Sequence, residues 1–146
     1  MILPLDAEGS ARFRLATLPA IVTLKMMAFY DRLEERKRKD GADIGFTMVH
    51  YVLVGDSGAR LGQGPDADIM INVGGDLLRA GTMLLGRDMG RLAGEDTRKE
   101  VVGHLMTEVG SRSNCPLAQE LMQFTKGRFS GSRSLLRDLL NGYEDV

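Results

Sequence analysis

The chain has one cysteine, no tryptophan and four prolines among its 146 residues. A lone thiol, Cys115, excludes an internal disulfide and a cysteine-based zinc cluster, and its place before Pro116 suggests an ordinary loop thiol. The two histidines, His50 and His104, lie far apart in sequence with no companion at ligand spacing. Neither sign of charge is in excess. The net value of −1 gives no overall bias toward nucleic acid or membrane, so any anion binding has to be local. No apolar run approaches the roughly 20 residues of a membrane span, and the N-terminus lacks a positively charged signal segment. A cytoplasmic protein without a membrane partner is the default expectation. There is no internal repeat or low-complexity tract.

At 43% apolar content the chain can bury one core, and residues 1–146 read as a single domain. Its clearest feature is the stretch from Leu18 to Asp43. Leu18, Ile21, Val22 and Phe29 recur at three- and four-residue intervals, the mark of one helical face, and Lys25 and Arg32 share that spacing. At about 100° per residue, seven residues return the chain to within roughly 20° of its starting direction. Lys25 and Arg32 therefore form one basic ridge, with small Ala28 between them. Pro19 in the first turn and Thr17 before it specify the helix start.

A charge run follows from Asp31 to Asp40, broken only by Leu33, and reads chiefly as a solvated helix end. A second helix is expected to begin near Asp40, which suits a cap at the positive end of the helix dipole. Asp43 falls one turn later, on a side that continues through Thr47 and His50. Ile44, Met48 and Tyr51 make the adjoining apolar stripe. Two antiparallel helices joined by a short turn would set Lys25 and Arg32 opposite Asp40 and Asp43. The outcome is either a structural ion-pair cluster or part of an anion-handling site.

Downstream, Asp56 to Asp66 reads as a polar loop leading to the next element, and Asp66 and Asp68 stand at alternate positions that would share a side if the segment Val54 to Ile71 were a strand. Leu77, Leu78, Met83, Leu84 and Leu85 supply a further helix, ended by Arg87 and Asp88 near Gly90 or Gly94, with local helix-end pairing as the commoner role of that arginine. Glu95 and Asp96 open an amphipathic helix through Val101, Val102, Leu105 and Val109. Pro116 starts another, and Ser132 or Ser134 caps a last short one through Leu140. Strand signals are confined to Met1–Leu15, where a short hairpin around Gly9 is allowed. The expected fold is thus mainly α, a helical bundle with a short N-terminal β-hairpin.

The segments LPAIVTLKMMAFYDR (from Leu18) and KDGADIGFTMVHY (from Lys39), followed by LLRAGTMLLGRDMGRLA over Leu77 to Ala93, resemble the AbiEii/AbiGii-type nucleotidyltransferase-like proteins, toxins of type IV toxin–antitoxin and abortive-infection systems. The resemblance covers roughly Arg12 to Ala93, in a chain that reads as a β-like entry over 1–16, family-like helices over 17–93 and additional helices over 94–146. It implies that Lys25 and Arg32 contact nucleotide phosphates and that Asp40 or Asp43 activates an acceptor hydroxyl. Such roles fit the chemistry, since nucleotidyl transfer develops negative charge and its nucleophile must lose a proton.

In that family a strand carrying paired aspartates after a Gly-Ser or Gly-Gly turn holds magnesium, and it precedes the lysine helix. Nothing of that kind precedes Lys25, and Asp66 and Asp68 would come in the wrong order. Magnesium and a nucleoside triphosphate are therefore expected only with a complete catalytic half, and the chain alone reads as inactive. Three readings follow. The first is a C-terminal helical half that works with a separate N-terminal catalytic half or an antitoxin and self-associates through an exposed apolar face. The second is a helical binding domain that keeps an anion pocket. In the third, the chain is an interaction protein whose four charges only pair with one another.

Overall fold

The structure is a computed structural model that describes residues 15–31 and 34–146, with backbone only for 34–36. Arg32, named above as a phosphate contact, and the hairpin expected over Met1–Leu15, save Leu15 itself, lie outside the described residues. Eight α-helices and no strand occur among the described residues. In order they are α1 (Leu18–Asp31), α2 (Glu34–His50), α3 (Ser57–Gly62), α4 (Ala67–Asn72), α5 (Leu77–Leu92), α6 (Glu95–Gly110), α7 (Pro116–Glu120) and α8 (Phe129–Glu144). Single 3-10 turns at Tyr51–Leu53 and Leu121–Phe124 extend α2 and α7.

The apolar spacing of α1 places Val22, Met26 and Phe29 in the core, against Ile44 and Met48 of α2. Helix α5 is the centre of the packing. Ala80, Leu84, Leu85 and Met89 are fully buried, and its C-terminal half crosses α8 at very short range. The crossing is close because glycine faces backbone on both sides. A Cβ on Gly86 would stand 3.0 Å from the Leu139 carbonyl carbon, and one on Gly142 would stand 2.8 Å from that of Met83. Such proximity is open only to residues without a side chain.

Glu108 ties three helices together. It is 1% exposed, and its carboxylate accepts the Leu117 and Ala118 N–H groups at 2.9 and 3.0 Å, so α6 caps α7. The Tyr30 hydroxyl donates to the same carboxylate at 2.8 Å, and the Tyr30 ring stacks on His104 at 3.8 Å. Cys115 is a buried free thiol in the loop before α7, as expected. No described helix is long and apolar enough to cross a membrane.

Several boundaries differ from expectation. Helix α2 begins at Glu34, so Asp40 is not a cap but a buried mid-helix residue. Residues 34–39 of the run before it are helical, with Arg38 and Lys39 exposed, because Glu, Arg and Lys are good helix formers. Residues expected as loop form α3, only six residues long and too short for periodicity to register. Helix α8 starts at Phe129 rather than at a serine cap, entered through Lys126 and Gly127 at φ +54° and +71°. Its N-cap, Arg128, contributes no side-chain cap.

Candidate functional site

Lys25 projects from the middle of α1 toward α2, and its Nζ lies 2.6 Å from Asp43 Oδ2 and 3.3 Å from Asp40 Oδ1. Three of the four expected site residues therefore converge. The two carboxylates are not equivalent. Asp40 is 5% exposed at its side chain and Asp43 45%, while Lys25 is 29% exposed. The hydrogen bond that Lys25 donates to Asp43 pushes its ammonium above the ordinary pKa, burial opposes this, and Asp40 adds to the rise. Lys25 is thus a fixed cation at neutral pH. Asp43 holds it through one oxygen and keeps its other side open to solvent, an arrangement suited to accepting a proton from a bound hydroxyl. His50 does not join the cluster: its Nδ1 lies 2.8 Å from the Phe46 carbonyl and its ring packs on Phe46.

A second charged cluster lies where α3, α4, α5 and the C-terminus meet. Asp66 is completely buried. One of its oxygens accepts from Arg87 at 2.9 Å and Arg91 at 3.2 Å, and the other from Arg60 at 2.8 Å. Arg87 also binds Asp68 through both terminal nitrogens, at 3.0 and 2.7 Å, and reaches Asp145. Arg60 chelates Asp88, which further accepts the Tyr51 hydroxyl at 2.8 Å. Arg87 and Asp88 therefore act not as a local helix-end pair but as mid-helix anchors for distant segments.

This geometry decides the fate of Asp66 and Asp68 as magnesium ligands. Magnesium demands near-octahedral oxygen ligation and keeps several waters. Asp66 has no solvent-facing surface, and guanidinium groups occupy both of its oxygens. The pair does not fit the ion. Nor does any other group of three or more acidic, histidine or cysteine residues among the described residues form a metal site.

No protein-family model, curated protein or solved structure matches the chain. The two clusters are accordingly read from their own chemistry. The first is built around one lysine shared by two carboxylates. The second has a buried centre in Asp66 and Arg87 with half-exposed Asp68, Asp145 and Arg91 at its rim, and arginine engages every carboxylate.

The closed cluster carries a pH signature. Burial pushes Asp66 up, but hydrogen bonds from Arg87 and Arg60 outweigh it and leave the carboxyl below its ordinary value. Asp68 is lowered chiefly by Arg87. Asp88, pushed up by burial, is brought lower overall by Arg60 and Tyr51. A carboxylate depressed by folding contributes stability above its unfolded pKa of about 3.9, and that contribution is lost as pH falls through the folded value. Stability is expected to hold from neutral pH down to about pH 4 and then to fall. Carboxyl NMR titration checks the cause: Asp66 titrating at or above the ordinary aspartate value would mean that burial, not arginine, dominates.

Proposed function

We propose that this chain is a nucleotidyltransferase-like helical domain of the AbiEii/AbiGii type, in which Lys25 contacts the phosphates of a nucleoside triphosphate and Asp43 serves as the acceptor-side base. The observation that carries this reading is the convergence of Lys25 with Asp40 and Asp43 at a partly open position, within two of the segments that carry the sequence resemblance. Asp40, buried beside the ammonium, acts as the positioning residue. Arg32 is assigned the second phosphate contact on the resemblance alone.

In this reading Asp43 takes the proton of an acceptor hydroxyl, whose oxygen bonds to the α-phosphorus as the bond to pyrophosphate breaks. Lys25 offsets the negative charge developing on the transferred group. The magnesium-holding carboxylates come from a separate catalytic half, and the domain is not competent by itself. Leu24 and Leu92, 67% and 58% exposed, flank a cavity of about 230 Å³ between α1 and the α5–α6 junction, an apolar surface that such a half would cover.

The test is thermal stabilisation by ATP, CTP, GTP and UTP, with and without magnesium. At a nucleotide concentration 100 times Kd the wild-type Tm is expected to rise by on the order of 10 °C. Lys25→Ala is expected to abolish the shift, and Asp43→Asn to retain it while blocking transfer in the assembled enzyme. A competing reading, a purely structural ion cluster, is favoured by the fact that both carboxylates already engage Lys25. It wins if no nucleotide shifts the wild type and Lys25→Ala is simply less stable.

A further inference from the structure

A cavity of about 350 Å³ opens between the N-terminal end of α5 and the turn that leads into α8, with none of Lys25, Asp40 or Asp43 in its lining. Its lining has two chemically distinct parts. Leu78, Phe124 and Leu135 supply apolar surface, and Arg79, Lys126 and Arg128 supply positive charge. Asp76 is the one acidic residue that lines it, and its Oδ1 is engaged by the Arg79 N–H at 3.1 Å as the cap of α5. The Arg79 guanidinium is committed to Asp138, at 2.8 and 2.9 Å. Lys126 and Arg128 have no ion-pair partner among the described residues.

Lys126 and Arg128 are exposed at the cavity mouth, so an anion seated there meets two cations, whereas Arg79 is already neutralised by Asp138. The apolar lining sets the rest of the ligand. A bare inorganic ion leaves Leu78 and Phe124 in contact with water, whereas an anion carrying a ring or short apolar body covers them. We infer that this cavity binds a small amphiphilic anion, with a phosphate-type head group held by Lys126 and Arg128 and an apolar or aromatic body against Leu78, Phe124 and Leu135. A phosphate monoester dianion matches the two free cations in charge, which favours it over a carboxylate.

Titration of the whole chain with phenyl phosphate, followed by backbone amide NMR, tests this. Saturable shifts are expected over residues 124–135, with inorganic phosphate and benzoate each binding at least about tenfold more weakly. The double variant Lys126→Gly, Arg128→Gln is expected to lose at least about tenfold in affinity. It should fold normally, because glycine suits the positive φ at position 126 and Arg128 provides no side-chain cap; an unchanged melting curve verifies that. Equal binding of inorganic phosphate overturns the apolar half of the assignment. Undiminished binding by the folded double variant, or shifts confined to α1 and α2, overturns the site itself.

Discussion

Changing Gly142 to alanine is expected to destabilise the protein by about 3 kcal/mol, read as a lower urea midpoint at unchanged slope. The new methyl would overlap the Met83 carbonyl oxygen and lie 3.0 Å from the Arg87 backbone nitrogen. Both belong to the α5 backbone, so no side-chain rotation relieves the clash. The helices must move apart, and with them Leu84, Leu85, Leu136 and Leu139, all fully buried. Loss of packing over a whole helix pair exceeds what one methyl returns by burial, about 0.8 kcal/mol. Gly103→Ala is the control. It lies in α6 with nothing within 4 Å of the added Cβ, and alanine's better helix propensity is expected to stabilise by about 0.5–1 kcal/mol. A tolerated Gly142→Ala would mean that α5 and α8 do not cross as closely as described.

The contrast between these two glycines shows what sequence reading reaches. The period of Val22 and Phe29 gives part of the buried face of α1 directly, because helix geometry fixes it, whereas Leu18 of the same expected stripe is 36% exposed. The opposition of Lys25 to Asp40 and Asp43 is legible for the same reason, once two consecutive helices are taken as antiparallel. Sequence does not distinguish Gly103, in open space, from Gly142, pressed on a neighbouring backbone. That difference arises from a long-range crossing with no local signature. The Arg87 cluster was hidden likewise: its partners Asp68 and Asp145 lie 19 and 58 positions away. Asp66, Asp68, Arg87 and Asp88 each stand out in the sequence, but their charge permits a loop, a metal site or a helix end equally well. Only tertiary placement selects among these.

Burial also separates the two charged clusters in function. Lys25 and Asp43 keep partial solvent contact, so a ligand can exchange with their hydration at modest cost. Asp66 has no such contact, and its charge is tolerable only while guanidinium groups surround it. The buried centre therefore fastens α4 and the C-terminus to α5, and the Lys25 cluster is the one to which the proposal above assigns chemistry.

Arg87→Met tests that division, with an expected loss of about 3 kcal/mol. Methionine keeps most of the side-chain volume, so the loss reports charge rather than a cavity. Removing one member of a buried pair costs about 3–5 kcal/mol because the other charge is stranded. The lower end applies because Arg60 and Arg91 still reach Asp66, at 2.7 and 3.2 Å. The released Asp68 and Asp145, about half exposed, rehydrate and add little. Adding Asp66→Asn should recover part of the deficit, since the uncompensated charge is then gone. The pH dependence supplies a second check. In the wild type Asp66 stabilises above about pH 3.9 and loses that contribution as pH falls through its depressed folded value. Without Arg87 burial has less opposition, the folded pKa rises, and the variant loses less on acidification. The stability gap between the two proteins should therefore narrow below about pH 4. A gap under about 1 kcal/mol at pH 7 would show instead that Arg60 and Arg91 suffice, leaving Arg87 to serve only the surface carboxylates.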